Sequence, residues 1–300
     1  MREELFKNCT LCPRKCNVNR LEGKRGYCGM DSTIRAARAA LHMWEEPCIS
    51  GKKGSGAVFF SGCGLQCCFC QNRDIAIGDS GKEISVERLA EIFLELQEKG
   101  AANLNLVTGA HYVPHIISAL ELARGKGMNL PVVYNSSGYE SVETIRRLDG
   151  YVDVYLPDMK YMEPELAAAF SNARDYPQAA QSAIAEMMRQ TGPCQFAEDG
   201  YIKRGTIVRH LILPGHTKNS IAVLKYLYRT YGEDIFISVM NQYTPVWKNE
   251  KFPELNRKVT RREYEKVLDA AIELGIENGY FQEGETAEES FIPAFDYEGV

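Results

Sequence analysis

Nowhere in these 300 residues does an apolar run approach the roughly 20 residues needed to cross a bilayer. The opening Met1-Arg2-Glu3-Glu4 carries charge where a secretory leader needs an apolar stretch, so the expected compartment is the cytoplasm. Basic charge is also short: 35 Lys and Arg stand against 40 Asp and Glu, for a net charge of −5 and a pI near 5.7. That balance leaves no broad basic face to capture nucleic acid or anionic lipid; RNA binding is unsupported rather than excluded. There is no internal repeat and no low-complexity tract, so nothing points to a repeat array.

What is present is apolar content and cysteine. An apolar fraction of 45% over this length can bury one sizeable core, which suits one large domain with a small appendage: a Cys-rich segment over 1–50 and a core over 51–300. Ten cysteines in a reducing compartment read as metal ligands before they read as disulfides.

The most informative stretch follows the apolar run 57–60, where Cys63, Cys67, Cys68 and Cys70 fall within eight residues around a Gly-rich turn. Chance grouping of core thiols is a poor account of such density. Three thiolates at 63, 67 and 70 hold three corners of a cubane iron–sulfur cluster and leave one iron open, as a catalytic zinc site keeps an open position. Cys68 falls off that spacing and reads as a buried neighbour.

Downstream, short β-rich runs at 57–61, 103–108, 131–135, 152–156, 206–213 and 235–240 alternate with helical stretches, with a short seventh at 279–282. Val86, Leu89, Ala90, Phe93 and Leu96 recur at helical spacing between Ser85 and Gly100. Thr260 and Glu263 form a capping box ahead of another helix that stops at Gly275, and 163–192 holds two helical stretches broken near Pro177. Six strand–helix units suit a partial (β/α)6 TIM-like barrel, with a doubly wound open sheet compatible with the same count. In both, ligands gather at the carboxyl ends of strands.

Those ends are polar or ligand-capable: the cysteine loop, then Thr108-Gly109-Ala110-His111, Asn135-Ser136, Asp158 to Lys160, Arg209-His210, and Asn241 to Tyr243. Their convergence predicts a large, hydrophilic, charged cofactor. Arg209 suits a carboxylate, and Asn135, Ser136 and Asp158 suit amine and hydroxyl groups. The plain alternatives are a solvent-facing Arg209 and a simple ion pair between Asp158 and Lys160. His111 and His115 lie four apart near a helix start, a spacing that can seat two metal ligands, yet no acidic partner is near. Polar lining is the better account, with His111 and Tyr243 as candidate substrate contacts. At the amino terminus Cys9, Cys12, Cys16 and Cys28 supply four soft ligands from a core-poor segment, which reads as a closed site for zinc or an auxiliary iron–sulfur cluster. Cys48 and Cys194 lack a partner at metal spacing.

The spacing Cys63-x3-Cys67-x2-Cys70, with Phe69 before the last cysteine, resembles the signature loop of the radical S-adenosylmethionine (SAM) enzymes. Further stretches, 9–16, 154–161, 209–215 and 239–243, resemble the branch of pyruvate formate-lyase activating enzyme-related proteins. The resemblance implies a 4Fe-4S cluster whose open iron chelates SAM, reductive cleavage to a 5′-deoxyadenosyl radical, and hydrogen abstraction from a substrate such as a glycine of a partner protein. It implies Phe69 beside the adenine, Thr108 and Gly109 near the amine, Asn135 and Ser136 at the ribose or methionine end, Arg209 near the carboxylate, and Asp158 with Lys160 at the active site. It also implies a one-electron donor such as flavodoxin or ferredoxin. Many relatives carry Gly-Gly-Glu after the second strand where this chain has Thr108-Gly109-Ala110-His111, a departure that leaves the glutamate's role open. Modification of a small molecule or peptide, and a non-catalytic electron-transfer protein, are the competing readings.

Overall fold

The computed structural model describes residues 4–78, 80–282 and 293–300. Among these residues ten strands form one sheet system: β1 (Ile34–His42), β2 (Ser55–Phe60), β3 (Lys82–Ile84), β4 (Leu104–Val107), β5 (Val132–Ser136), β6 (Val154–Pro157), β7 (Gln195–Phe196), β8 (Ile202–Leu211), β9 (Phe236–Met240) and β10 (Gly279–Phe281). Their spatial order is β10-β9-β8-β6-β5-β4-β2-β1-β3, with β7 paired to β8. From β2 through β10 along the main path every pairing is parallel, and β1 joins β2 antiparallel.

The parallel strands stand in chain order, with no reversal point. Successive crossovers therefore wind one way around the sheet, which is barrel winding rather than the doubly wound alternative. All seven expected parallel strands are present within a few residues of the predicted limits. The helix Val86–Glu98 starts at Ser85, whose hydroxyl accepts from the Arg88 amide at 3.1 Å. The helix Arg261–Leu274 has the full Thr260–Glu263 capping box and a left-handed Gly275 at its end. In the 163–192 segment, helices Pro164–Ser171 and Tyr176–Thr191 are separated by a left-handed Asn172. Pro177 sits in the first turn of the second helix, where its missing N–H costs nothing, rather than at the break.

Pattern reading missed β1. Its sequence is rich in alanine, a weak strand former, and a bulge between Ala36 and Arg38 interrupts its alternation. Tertiary context holds it: Ala36, Ala37 and Ala39 are buried, and the carboxyl-terminal tail covers its edge through Ala39 N–H to Glu298 O (2.8 Å) and Tyr297 N–H to Ala37 O (3.1 Å). After β1 the chain turns under the barrel. The one-turn helix Pro47–Ser50 closes the amino-terminal end, where Cys48 and Ile49 pack against Val133, Val154, Leu156, Ile202 and Ile207. Cys48 is thus a core residue, and Cys194 packs against the same cluster.

Candidate active site at the carboxyl ends of the strands

The cysteine loop leaves β2 through Gly62, whose φ of +89° suits glycine; a Cβ there would lie 2.8 Å from the Cys28 carbonyl oxygen. From that turn Cys63, Cys67 and Cys70 all face one cavity at the carboxyl ends of the strands, of about 230 Å³. Cys68 is not among its walls; its backbone is fixed from outside, N–H to Phe170 O at 2.8 Å and O to Trp247 Nε1 at 3.1 Å. Two of the cavity thiols already accept hydrogen bonds, Cys63 from the Leu65 amide at 3.4 Å and Cys67 from the Ser171 hydroxyl at 3.0 Å. Burial pushes the Cys67 thiol up to about 11, against the pull of Lys160, and Cys70 up to about 12. Ionising Cys67 and Cys70 so far below these values needs a compensating cationic centre, and iron supplies one. The residues present therefore fit a three-thiolate cluster.

Phe69, Thr108, Asn135 and Ser136 line the same cavity, as do Asp158, Lys160, Arg209 and Tyr243. The candidate cofactor and substrate residues are thus brought together, apart from Gly109 and His111, and His210 turns instead to the Met159 carbonyl at 2.7 Å. Gly109 packs on the helix Val113–Gly125, where a Cβ would meet Ile116 at 2.5 Å. His111 is buried off the cavity with Nε2 2.7 Å from the Ser61 carbonyl oxygen, and burial lowers its pKa to about 3. It braces the root of the cysteine loop instead of facing a substrate. His115 stacks on Phe6 and reaches the Ser32 carbonyl at 2.9 Å. The two histidines dock backbone segments, an outcome that spacing alone does not distinguish from ligation.

The charged groups form one network. Arg209 pairs with Glu45 (Nη1–Oε2, 3.0 Å) and Asp158 (Nε–Oδ1, 3.3 Å) and donates to Asn135 Oδ1. Lys160 pairs with the other Asp158 oxygen at 2.5 Å. Glu45 Oε1 also accepts from Asn105 at 3.0 Å and from Asn135 at 3.2 Å. Burial disfavours charge on Asp158, but Lys160 and Arg209 outweigh it and hold the carboxyl below its usual range. Burial likewise opposes charge on Arg209, and Asp158, Glu45 and Glu46 overcome it. Glu46 is different: burial raises its pKa, and its Oε2 has no hydrogen-bond partner. These three bonds take three of the five guanidinium N–H groups of Arg209. Among the described residues the other two meet no acceptor.

Glu45 and its neighbours His42 and Trp44 line the cavity, and sequence reasoning missed Glu45. It lies on the loop after the overlooked β1; the adjacent acids before Pro47 were the available hint. Tyr243 presents its ring to the cavity, since its hydroxyl is bonded to the Leu255 carbonyl at 2.7 Å. The loops after β5 and β6 interlock around Tyr176, whose hydroxyl lies 2.9 Å from the carbonyl oxygens of both Ser137 and Asp158.

A loop whose three thiols face a cavity at the mouth of a parallel barrel marks a cofactor-dependent enzyme of the barrel class. Residues 57–227 match the radical SAM superfamily, and the chain belongs to that superfamily. It is 30% identical over 276 residues to an uncharacterized protein of Methanocaldococcus jannaschii, covering 90% of this chain and 75% of that one. It is 26% identical over 113 residues to the pyruvate formate-lyase-activating enzyme of Clostridium pasteurianum, covering 36% of this chain and 46% of that one. Among solved structures, Streptococcus suis SuiB aligns with a TM-score of 0.45 at 13% identity, covering 77% of this chain and 48% of that one. Native anSMEcpe with bound AdoMet aligns with a TM-score of 0.48 at 12% identity, covering 71% and 57%. The chain thus spans about half the length of those two solved proteins. The family implies a 4Fe-4S cluster and SAM. No helix among the described residues is long and apolar enough to cross a membrane.

Proposed function

We propose that this chain cleaves SAM reductively and directs the resulting radical at a substrate C–H bond within the barrel mouth. The observation that carries this reading is the common orientation of Cys63, Cys67 and Cys70 toward a cavity that also holds the paired charges of Asp158, Lys160 and Arg209. When bound, the cluster and SAM supply one-electron cleavage of a carbon–sulfur bond to methionine and a 5′-deoxyadenosyl radical. The chain's own part is to bind and aim. Cys63, Cys67 and Cys70 would hold the cluster, and the two remaining N–H groups of Arg209 would receive the SAM carboxylate. Asn135 and Ser136 would meet ribose or methionine polar groups, and the ring of Phe69 would lie against the adenine.

The favoured substrate is a glycine in a partner protein, supported by the partial similarity to the Clostridium pasteurianum activating enzyme. A flavodoxin- or ferredoxin-type donor in the cytoplasm would deliver the electron. Reconstituted, dithionite-reduced protein incubated with SAM is expected to release 5′-deoxyadenosine; no product above a cluster-free control ends the enzyme reading and leaves the electron-transfer one. Candidates deuterated at the target position then separate the substrates. Label passing to deoxyadenosine from a glycyl protein supports the activase reading, and label passing only from a small molecule or peptide replaces it.

A further inference from the structure

The amino-terminal segment holds a second set of thiols that the barrel site does not use. Cys9 and Cys28 are buried, Cys12 and Cys16 partly so. The stretch just before Cys28 packs on Cys16: the Tyr27 amide bonds its sulfur, and a Cβ on Gly26 would lie 3.4 Å from it. Their arrangement depends on left-handed backbone at two non-glycine residues, Lys15 (φ 41°) and Asn17 (φ 56°), which turns the chain so that the Asn17 amide reaches the Cys9 carbonyl at 3.0 Å. The local apolar core is small, Phe6, Cys9 and Leu11 with Leu5 and Val18 beside them, too little to hold such a turn by burial alone. Sulfur is instead met by donors: the Tyr27 amide at 3.2 Å from Cys16 Sγ and Arg20 Nη1 at 3.8 Å from Cys9 Sγ. Among the described residues no three His, Cys, Asp or Glu side chains converge tightly enough for one ion. A single zinc would have to draw these thiols inward, whereas a polynuclear iron–sulfur centre spans a wider set.

This thiol set leans directly on the cysteine loop of the barrel. Arg14, between Cys12 and Cys16, donates from Nε to the Gly64 carbonyl at 2.8 Å, from Nη2 to the Ser171 carbonyl at 2.9 Å, and from Nη1 to the Asn172 carbonyl. Ser171 is the residue whose hydroxyl bonds to Cys67 Sγ. The Gln66 side chain donates to the Tyr27 carbonyl at 2.8 Å, and a Cβ on Gly64 would come within 3.6 Å of Cys12 Sγ. One face of the cysteine loop is therefore held by residues that sit between thiols of the second set.

We propose that Cys9, Cys12, Cys16 and Cys28 ligate a metal centre of their own, and that this centre, acting through the positioning residue Arg14, clamps the cysteine loop of the barrel. The inference rests on the radical SAM reading only for the identity of the loop being clamped. Anaerobically reconstituted wild-type protein is expected to carry more than the four irons of one cubane: about four further irons for an iron–sulfur centre, or one zinc for a mononuclear one. Four irons and no zinc would overturn the site outright, whether or not deoxyadenosine forms. Cys12→Ala/Cys16→Ala should lose only the additional metal, and the remaining cubane should bleach in oxygen about tenfold faster or more, as the three charged hydrogen bonds of Arg14 to the loop and its support weaken. Arg14→Ala should bleach at the same raised rate while keeping both metals. Bleaching at the wild-type rate in both variants overturns the clamp. Should the double variant be insoluble, the wild-type metal count and Arg14→Ala decide the two halves separately.

Discussion

Replacing Arg209 with methionine removes the cation that Glu45 and Asp158 share, and leaves their side chains, only 8% and 15% exposed, facing each other without it. Lys160 still neutralises Asp158, so the uncompensated charge falls mainly on Glu45. Breaking a buried pair by removing one partner costs about 3–5 kcal/mol. For a chain of this size that corresponds to a fall in Tm of roughly 2 °C per kcal/mol. Urea unfolding of reconstituted protein by far-UV circular dichroism, at pH 8 and pH 5, reads the loss. Its sign with pH follows from linkage: Arg209 is among the charges that pull down the carboxyl pKa of Asp158 and of buried Glu46, so without it both take up a proton more readily as pH falls and the penalty shrinks. The difference between wild type and Arg209→Met should therefore be larger at pH 8 than at pH 5. Adding Glu45→Gln should recover part of it in a double-mutant cycle. A loss below about 1 kcal/mol that is equal at both pH values, with no recovery on Glu45→Gln, refutes the shared-cation account.

Three further outcomes are expected. Cys67→Ala should abolish the cubane and deoxyadenosine formation while keeping the metal held by Cys9, Cys12, Cys16 and Cys28; elemental analysis beside a product assay checks both halves, and full turnover would dismiss the ligand assignment. Glu140 is buried beside Tyr134 and its pKa is raised by burial to about 8, so its contribution is intact at low pH and is lost as pH rises through 8. Glu140→Gln should gain on the wild type by a few kcal/mol between pH 5 and pH 9, and a gap that does not move with pH would contradict this. Gly138→Ala places a Cβ 2.1 Å from the Asp158 carbonyl oxygen at φ +76°, which must part the interlocked loops after β5 and β6. Deoxyadenosine formation should drop about tenfold or more in a protein that still folds; unchanged turnover would show that those loops do not position the site.

The parallel strands and both capped helices were legible because their signals are local: β-rich runs of the right length, Ser85 before a helical stripe, and the Thr260–Glu263 box. Pattern reading failed at β1, whose alanines have little strand preference and are held by β2 and the carboxyl-terminal tail. With β1 went Glu45, since a residue on an unrecognised loop cannot be assigned to a cavity. His111 shows the converse error. Its place at a strand end is compatible with the site, but its side chain turns to the Ser61 carbonyl beneath the loop, and side-chain direction is not encoded in spacing.

The sequence by itself determined the chemistry on offer: three thiols at cubane spacing, polar strand ends, and four further thiols in a core-poor segment, because ligand type and short-range spacing are covalent facts of the chain. The tertiary structure alone decided which of these face one another. It drew Glu45 from beneath the barrel to Arg209, turned Cys68 and His111 away, and set Arg14 against the cysteine loop. Burial and charge balance among residues distant in sequence choose those partners, and such balances exist only once the sheet has wound.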